Sequence, residues 1–127
     1  VNHYLQTTYA DDGRGPHAFN CWGLTRSARH TLFGKPLLPS YDDIDPDDKP
    51  ALTDACKAVR GTGFHEVSLR PGAIATGWRG QCCVHIGLVV QSDGRLWVLE
   101  TRRKVGPTLT GIPKFERRFT KVVYYDD

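Results

Sequence analysis

Several familiar signals are missing from this chain. No run of apolar residues approaches the ~18 needed to span a bilayer, so no membrane partner is expected. The N-terminus as it stands lacks the charged-then-apolar pattern of a signal peptide. There is no internal repeat, no low-complexity tract and no composition shift that would mark a linker. The four cysteines, Cys21, Cys56, Cys82 and Cys83, form no Cys-x-x-Cys pair, and a bridge between the adjacent Cys82 and Cys83 would be strained. They read as reduced thiols in a protein made in the cytoplasm. Excess charge of one sign is also scarce, with a net charge of +3. The basic residues are scattered except for Arg102-Arg103-Lys104 and Arg117-Arg118, which read as solvated surface and not as a nucleic-acid footprint.

What remains suits one soluble globular domain over residues 1–127, with 39% hydrophobic and 24% charged residues. That length can bury one core without disulfides or a structural metal. Residues Asn2 to Thr8 read as a short helix or an extended arm, and Ala10 to Pro16 as a polar loop. A helix is expected from about Cys21 to Phe33, ended by Gly34 and Pro36. A second is expected from near Pro50 to Gly61, with Leu52, Ala55, Cys56 and Val59 on one face. The pattern then changes to strands: Phe64 to Leu69, Ala73 to Trp78, Val84 to Val90, Leu96 to Glu100, and Val122 to Tyr125. Ser92-Asp93-Gly94 marks a hairpin, whereas Gly106 and Pro107 read as a break. Helices first and an antiparallel meander second make an α+β domain, with helices packed on a sheet of about five strands.

Cys21 is the residue around which the chemistry gathers. Asn20 is a good N-cap, which puts the thiol in the first turn of a helix. The positive end of the helix dipole favours thiolate there, so Cys21 is a candidate nucleophile. The competing readings are a small buried hydrophobe, a metal ligand, or half of a disulfide. A cysteine nucleophile needs a base, and the base needs a third group to hold its ring. Of the five histidines, His85 alone lies on a strong core strand. His85 and Ile86 point to opposite faces, and the cysteine helix is expected on the face of His85. The Asp93-Gly94 turn pairs Val90 with about Leu96, which brings Glu100 beside Ile86 or His85. A carboxylate there can fix the imidazole tautomer. The spacing of Cys82 and His85 also leaves a metal site open as an alternative, with Cys21 as a further ligand.

Two separated blocks carry a resemblance. The first runs from Tyr9 through a glycine-bearing loop to Asn20-Cys21-Trp22-Gly23-Leu24. The second is Arg70-Pro71-Gly72-Ala73-Ile74 followed by Val84-His85-Ile86-Gly87-Leu88. In this order the chain resembles the NlpC family of papain-like cysteine peptidases, in particular its phage tail-tip members. Leu37-Leu38-Pro39-Ser40-Tyr41 resembles the segment after the helix in those members. Tyr9, twelve residues before Cys21, matches the active-site tyrosine of the family. Two departures stand out: Asn20 replaces the usual aspartate, and Glu100 stands where many members have histidine. The related CHAP amidases use an acidic or amide group at that place.

The resemblance implies a papain-like fold and a cysteine endopeptidase that cuts peptidoglycan stem peptides, typically between γ-D-glutamate and diaminopimelate. Cys21 is then the nucleophile, His85 the general base and acid, Glu100 the residue that orients His85, and Tyr9 an aid to the oxyanion. No cofactor and no metal are implied. Trp22, beside the nucleophile, is a candidate substrate contact. The substrate is anionic, so Arg79 and Arg102 are candidates for its carboxylates. Other phage tail proteins are the implied partners, and the place of action is the phage tail or the cell wall. The alternatives are a non-catalytic tail or wall-binding module on the same fold, and a CHAP-like amidase.

Overall fold

A computed structural model of the chain describes residues 1–39 and 63–127. The helix expected from Pro50 to Gly61, with Cys56 on it, lies outside the described residues. Among the described residues, α1 (Asn2–Leu5) leads into β1 (Thr8–Tyr9) and β2 (Ala18–Phe19), which pair in parallel. Next come α2 (Cys21–Phe33), β3 (His65–Val67), β4 (Ile74–Arg79) and β5 (Cys82–Ser92). The chain continues through β6 (Arg95–Arg102), β7 (Gly106–Gly111), α3 (Ile112–Glu116) and β8 (Lys121–Asp126). The result is a mixed helix-and-sheet protein built on one large antiparallel sheet.

α2 begins and ends where its caps dictate. The Asn20 side-chain oxygen accepts from the Gly23 N–H at 2.8 Å, which satisfies one donor of the first turn. Gly34 closes the helix in the left-handed region at φ 65°, and its N–H donates to the His30 carbonyl. Arg29 ties the helix to the last strand. Its side chain is 1% exposed, donates to Asp126 at 2.6 Å and lies over the Phe64 ring. Arg70 donates to the other oxygen of Asp126.

The large sheet has six strands in the order β3-β8-β4-β5-β6-β7. Two features correct the five-strand meander. Gly106 and Pro107 open β7 instead of breaking the chain, and β7 is an edge strand, where the missing proline N–H is tolerated. In addition, β8 slots between β3 and β4.

Each face of the sheet has its own core. Ile74, Ile86 and Leu88 lie on one side with Leu24 and Ala28 of α2, together with Phe19, Trp22 and Leu99. Ala73, Ala75, Val89 and Val98 lie on the other with Phe115 of α3 and Tyr124 of β8. The body of α2 therefore packs on the Leu88 face. His85 alternates onto the α3 face, so the expectation that the helix covers His85's face is corrected. What joins the two sides is a fork in the sheet. The β5–β6 ladder runs from Ser92↔Arg95 to Leu88↔Leu99 and stops there, although β5 continues to Cys82 and β6 to Arg102. α2 lies against both of these strands.

Candidate active site

Cys21 starts α2 immediately after its Asn20 cap, so its position follows from the cap. It is 9% exposed, His85 is 7% exposed and Glu100 is fully buried. A side-chain hydrogen bond joins Cys21 to His85. His85 Nε2 lies 2.7 Å from Glu100 Oε1, which leaves Nδ1 for the sulfur. Thiol, imidazole and carboxylate thus form one contact row, from helix terminus to β5 to β6.

Local geometry explains why these side chains meet. The register ends with Leu88 opposite Leu99, and Glu100, the next residue, lies beside Gly87 just past the last pair. His85 and Gly87 share a face. A Cβ on Gly87 would come within 2.5 Å of Val98 Cγ1 and 3.4 Å of Glu100 Cβ. The bare glycine therefore lets Glu100 settle diagonally against His85. Gly77 pairs with His85 across β4 and β5, and a Cβ there would come within 2.6 Å of the Phe119 ring. Phe119 occupies that space and stacks on His85, with centroids 6.0 Å apart and planes 13° from parallel. Phe115 adds a tilted contact at 6.1 Å.

Glu100 has more partners than histidine. Arg118 grips it with both ends of its guanidinium, Nη1 to Oε2 at 2.7 Å and Nη2 to Oε1 at 2.9 Å. Burial pushes the Glu100 carboxyl up, but hydrogen bonds from His85, Arg118 and Thr110 outweigh it and hold the pKa at about 2. For His85, burial favours the neutral ring. Hydrogen bonds to Cys21 and Glu100, with the negative charge of both, overcome that and raise its pKa to about 9. At neutral pH the His85 ring is therefore held protonated against an ionised Glu100, with the Cys21 sulfur on its other side.

Tyr9 lies close enough to Cys21 to feel its charge. Its phenol is pushed up to about 12, first by burial and then by a hydrogen bond and charge from Asp11. The hydroxyl donates to Asp11, and Arg103 clamps the same carboxylate at 2.7 and 3.1 Å. The single phenolic proton is thus committed to Asp11 in this state. An open groove of about 440 Å³ adjoins Tyr9, lined by Leu5, Thr7, Lys104, Val105 and Pro107 among others.

The remaining expected residues are placed as follows. Trp22 is 7% exposed, packs into the core, and donates its indole N–H to the Pro39 carbonyl. A substrate contact through the Trp22 ring does not fit that packing. Arg79 is exposed and lies over the outer part of the site, 5.8 Å from the Phe119 centroid. Arg102 is exposed, and it is the neighbouring Arg103 that turns toward Tyr9 and Asp11. Cys83 is buried beside Trp78 and Ile86, while Cys82 is half-buried. Among the described residues, no group of three or more His, Cys, Asp or Glu side chains is arranged to hold a metal ion. Nor is any helix among them long and apolar enough to cross a membrane.

Arg118, Asp11, Arg103, Phe115, Phe119 and Thr110 were missed at the level of sequence. Arg118 was read as solvated surface, and the structure corrects this: its side chain is 23% exposed and bound to a buried acid. One signal was available. Phe115, Arg118 and Phe119 recur at i, i+3 and i+4, the spacing of residues that share one helical face.

No protein-family model matches the chain, and no curated protein matches it.

Proposed function

We propose that this chain is a papain-like cysteine peptidase of the NlpC type that hydrolyses an amide bond in peptidoglycan stem peptides. The observation that carries the reading is the buried contact row Cys21–His85–Glu100. The geometry supports nucleophilic amide chemistry. The stem peptide, its γ-D-glutamyl-diaminopimelate bond and the phage tail-tip setting come from the sequence resemblance alone.

In this scheme the Cys21 thiolate attacks the carbonyl carbon and the oxyanion forms at the start of α2. Backbone N–H groups of the first turn, that of Cys21 among them, stabilise it. His85 passes its proton to the leaving amine, which departs and leaves a thioester on Cys21. A water molecule then attacks the thioester, gives a proton to His85, and the acid leaves as the thiolate reforms. Tyr9 assists the oxyanion once its proton swings from Asp11. Glu100 holds the imidazole in plane throughout. It also favours a second reading: a carboxylate as the third group matches CHAP-like amidases, which would cut a different amide with the same residues.

Digestion of defined stem peptides, followed by mass spectrometry, tests the proposal. The wild-type chain is expected to release a single pair of fragments, and Cys21→Ala none. The masses distinguish endopeptidase from amidase cleavage. Release by Cys21→Ala at the wild-type rate would overturn the scheme. So would a wild-type chain that leaves every peptide intact and whose Cys21 resists iodoacetamide at neutral pH.

A further inference from the structure

The second arginine of the pair after α3 does more than cover the surface. We propose that Arg118 is a positioning residue for the Cys21–His85 pair: its guanidinium fork fixes Glu100 against His85 Nε2, and its charge balances the carboxylate so that the imidazolium can still give up its proton. The inference rests on reading Cys21 and His85 as a catalytic pair, but its test does not depend on any substrate.

Geometry supplies the first half. Glu100 Oε1 is shared between His85 Nε2 at 2.7 Å and Arg118 Nη2 at 2.9 Å, while Oε2 is held by Arg118 Nη1 at 2.7 Å. A carboxylate gripped by histidine alone can rotate about its last torsion. A planar two-point fork removes that freedom, and lysine cannot reproduce it. The guanidinium is itself held between two rings, 5.3 Å from Phe115 and 5.2 Å from Phe119. Phe119 is also the ring stacked on His85. One aromatic residue therefore registers both the imidazole and the arginine that fixes its partner.

Charge supplies the second half. Cys21 thiolate, His85 imidazolium, Glu100 carboxylate and Arg118 guanidinium alternate in sign along the row. Without the last, two anions flank one cation in a nearly dry site, and the proton is held too tightly to leave for an amine. Among the described residues, other polar or charged groups also stand near the row. Arg79 of β4 lies over the Phe119 ring, 5.8 Å from its centroid, and Thr110 of β7 hydrogen-bonds Glu100. On the sulfur side stand Tyr9 and Asp11, the latter paired with Arg103. Of these, Thr110 alone also binds Glu100, through an uncharged hydroxyl, whereas Arg118 brings a two-point fork and a charge.

The test follows the His85 ring directly, by NMR titration of the full chain labelled with 13C-histidine. The resonance is assigned by its loss in His85→Gln. Arg118→Met and Arg118→Gln remove the cation, and the second keeps a hydrogen-bond donor should the first fail to fold. Both are expected to raise the His85 inflection by about one pH unit. Arg118→Lys keeps the charge and is expected to leave it in place. A folded neutral variant that titrates like wild type would overturn the inference, as would Arg118→Lys moving as far as Arg118→Met. If the shift appears while the wild-type chain leaves stem peptides uncut and its Cys21 resists iodoacetamide, the peptidase reading fails and the role of Arg118 in holding Glu100 against His85 stands.

Discussion

Replacing Glu100 with glutamine should cost this protein about 3 kcal/mol of stability at pH 7, and two routes lead to that size. The first is linkage. The Glu100 carboxyl is lowered from 4.5 to about 2 in the fold. At 1.36 kcal/mol per unit, that is about 3 kcal/mol of preference for the ionised form. A depressed carboxyl stabilises the fold above its unfolded pKa, here 4.5, and the benefit is lost as pH falls through about 2. The second route is the partner left behind. In the variant, one arm of the Arg118 fork faces the amide NH2, donor against donor, and the guanidinium loses its buried counter-charge; breaking a buried pair in this way costs about 3–5 kcal/mol. His85 adds an alkaline counterpart. Its pKa is raised from 6.5 to about 9, so its contribution is full below 6.5 and disappears as pH rises through 9. Urea unfolding followed by tryptophan fluorescence, in steps from alkaline through neutral to acid pH, reads both limbs. The wild type should lose stability steeply toward pH 2 and Glu100→Gln much less steeply, so the two curves converge at acid pH. Asp127, also lowered to about 2 through its hydrogen bond from Lys35, is common to both proteins and cancels in the difference. A pH 7 difference below about 0.5 kcal/mol, or parallel acid limbs, would refute the reasoning.

Two further outcomes are expected. Gly77→Ala puts a methyl group 2.6 Å from the Phe119 ring. The ring must leave His85, with a loss of about 1–3 kcal/mol in thermal or urea unfolding and a fall in turnover; an unchanged melt would show that Phe119 is not held by that slot. Turnover of stem peptides should also fall above about pH 9, where His85 loses the proton it gives to the leaving amine. A rate that continues to climb past pH 10 would mean that another group supplies that proton.

How far the sequence could be read depended on the range of the interactions. α2 was legible to the residue because its signals are local: Asn20 at one end, Gly34 at the other, and Leu24 and Ala28 one turn apart. The Asp93-Gly94 hairpin was equally plain, and with it the approach of Glu100 to the strand of His85. The shift from Leu96 to Trp97 opposite Val90 is one residue, within what a turn signal leaves open. The insertion of β8 between β3 and β4 had no local signature, because it is decided by pairing between segments far apart in sequence. β7 was masked by its glycine and proline, which are acceptable on an edge strand. Of the site, Cys21, His85 and Glu100 were visible as residue types in order. Arg118 was not, since an arginine beside another arginine reads as surface until the partner acid is found. The commitment of Tyr9 to Asp11 likewise depends on where a loop folds back.

The place of β8 bears on how the protein acquires its shape. Strands β3 and β4 are neighbours in sequence, yet Lys121–Asp126 must lie between them before either has a partner on that side. The buried arginine of α2 finds Asp126 on the same late segment. Pairings between segments a third to half the chain apart carry a loop-closure entropy that slows the final assembly. A nascent copy can form the hairpin of β5 and β6 early and then must wait. Until residues 121–126 dock, Arg29 lacks its buried partner Asp126, so α2, the helix that begins at Cys21, is without its tie to the last strand.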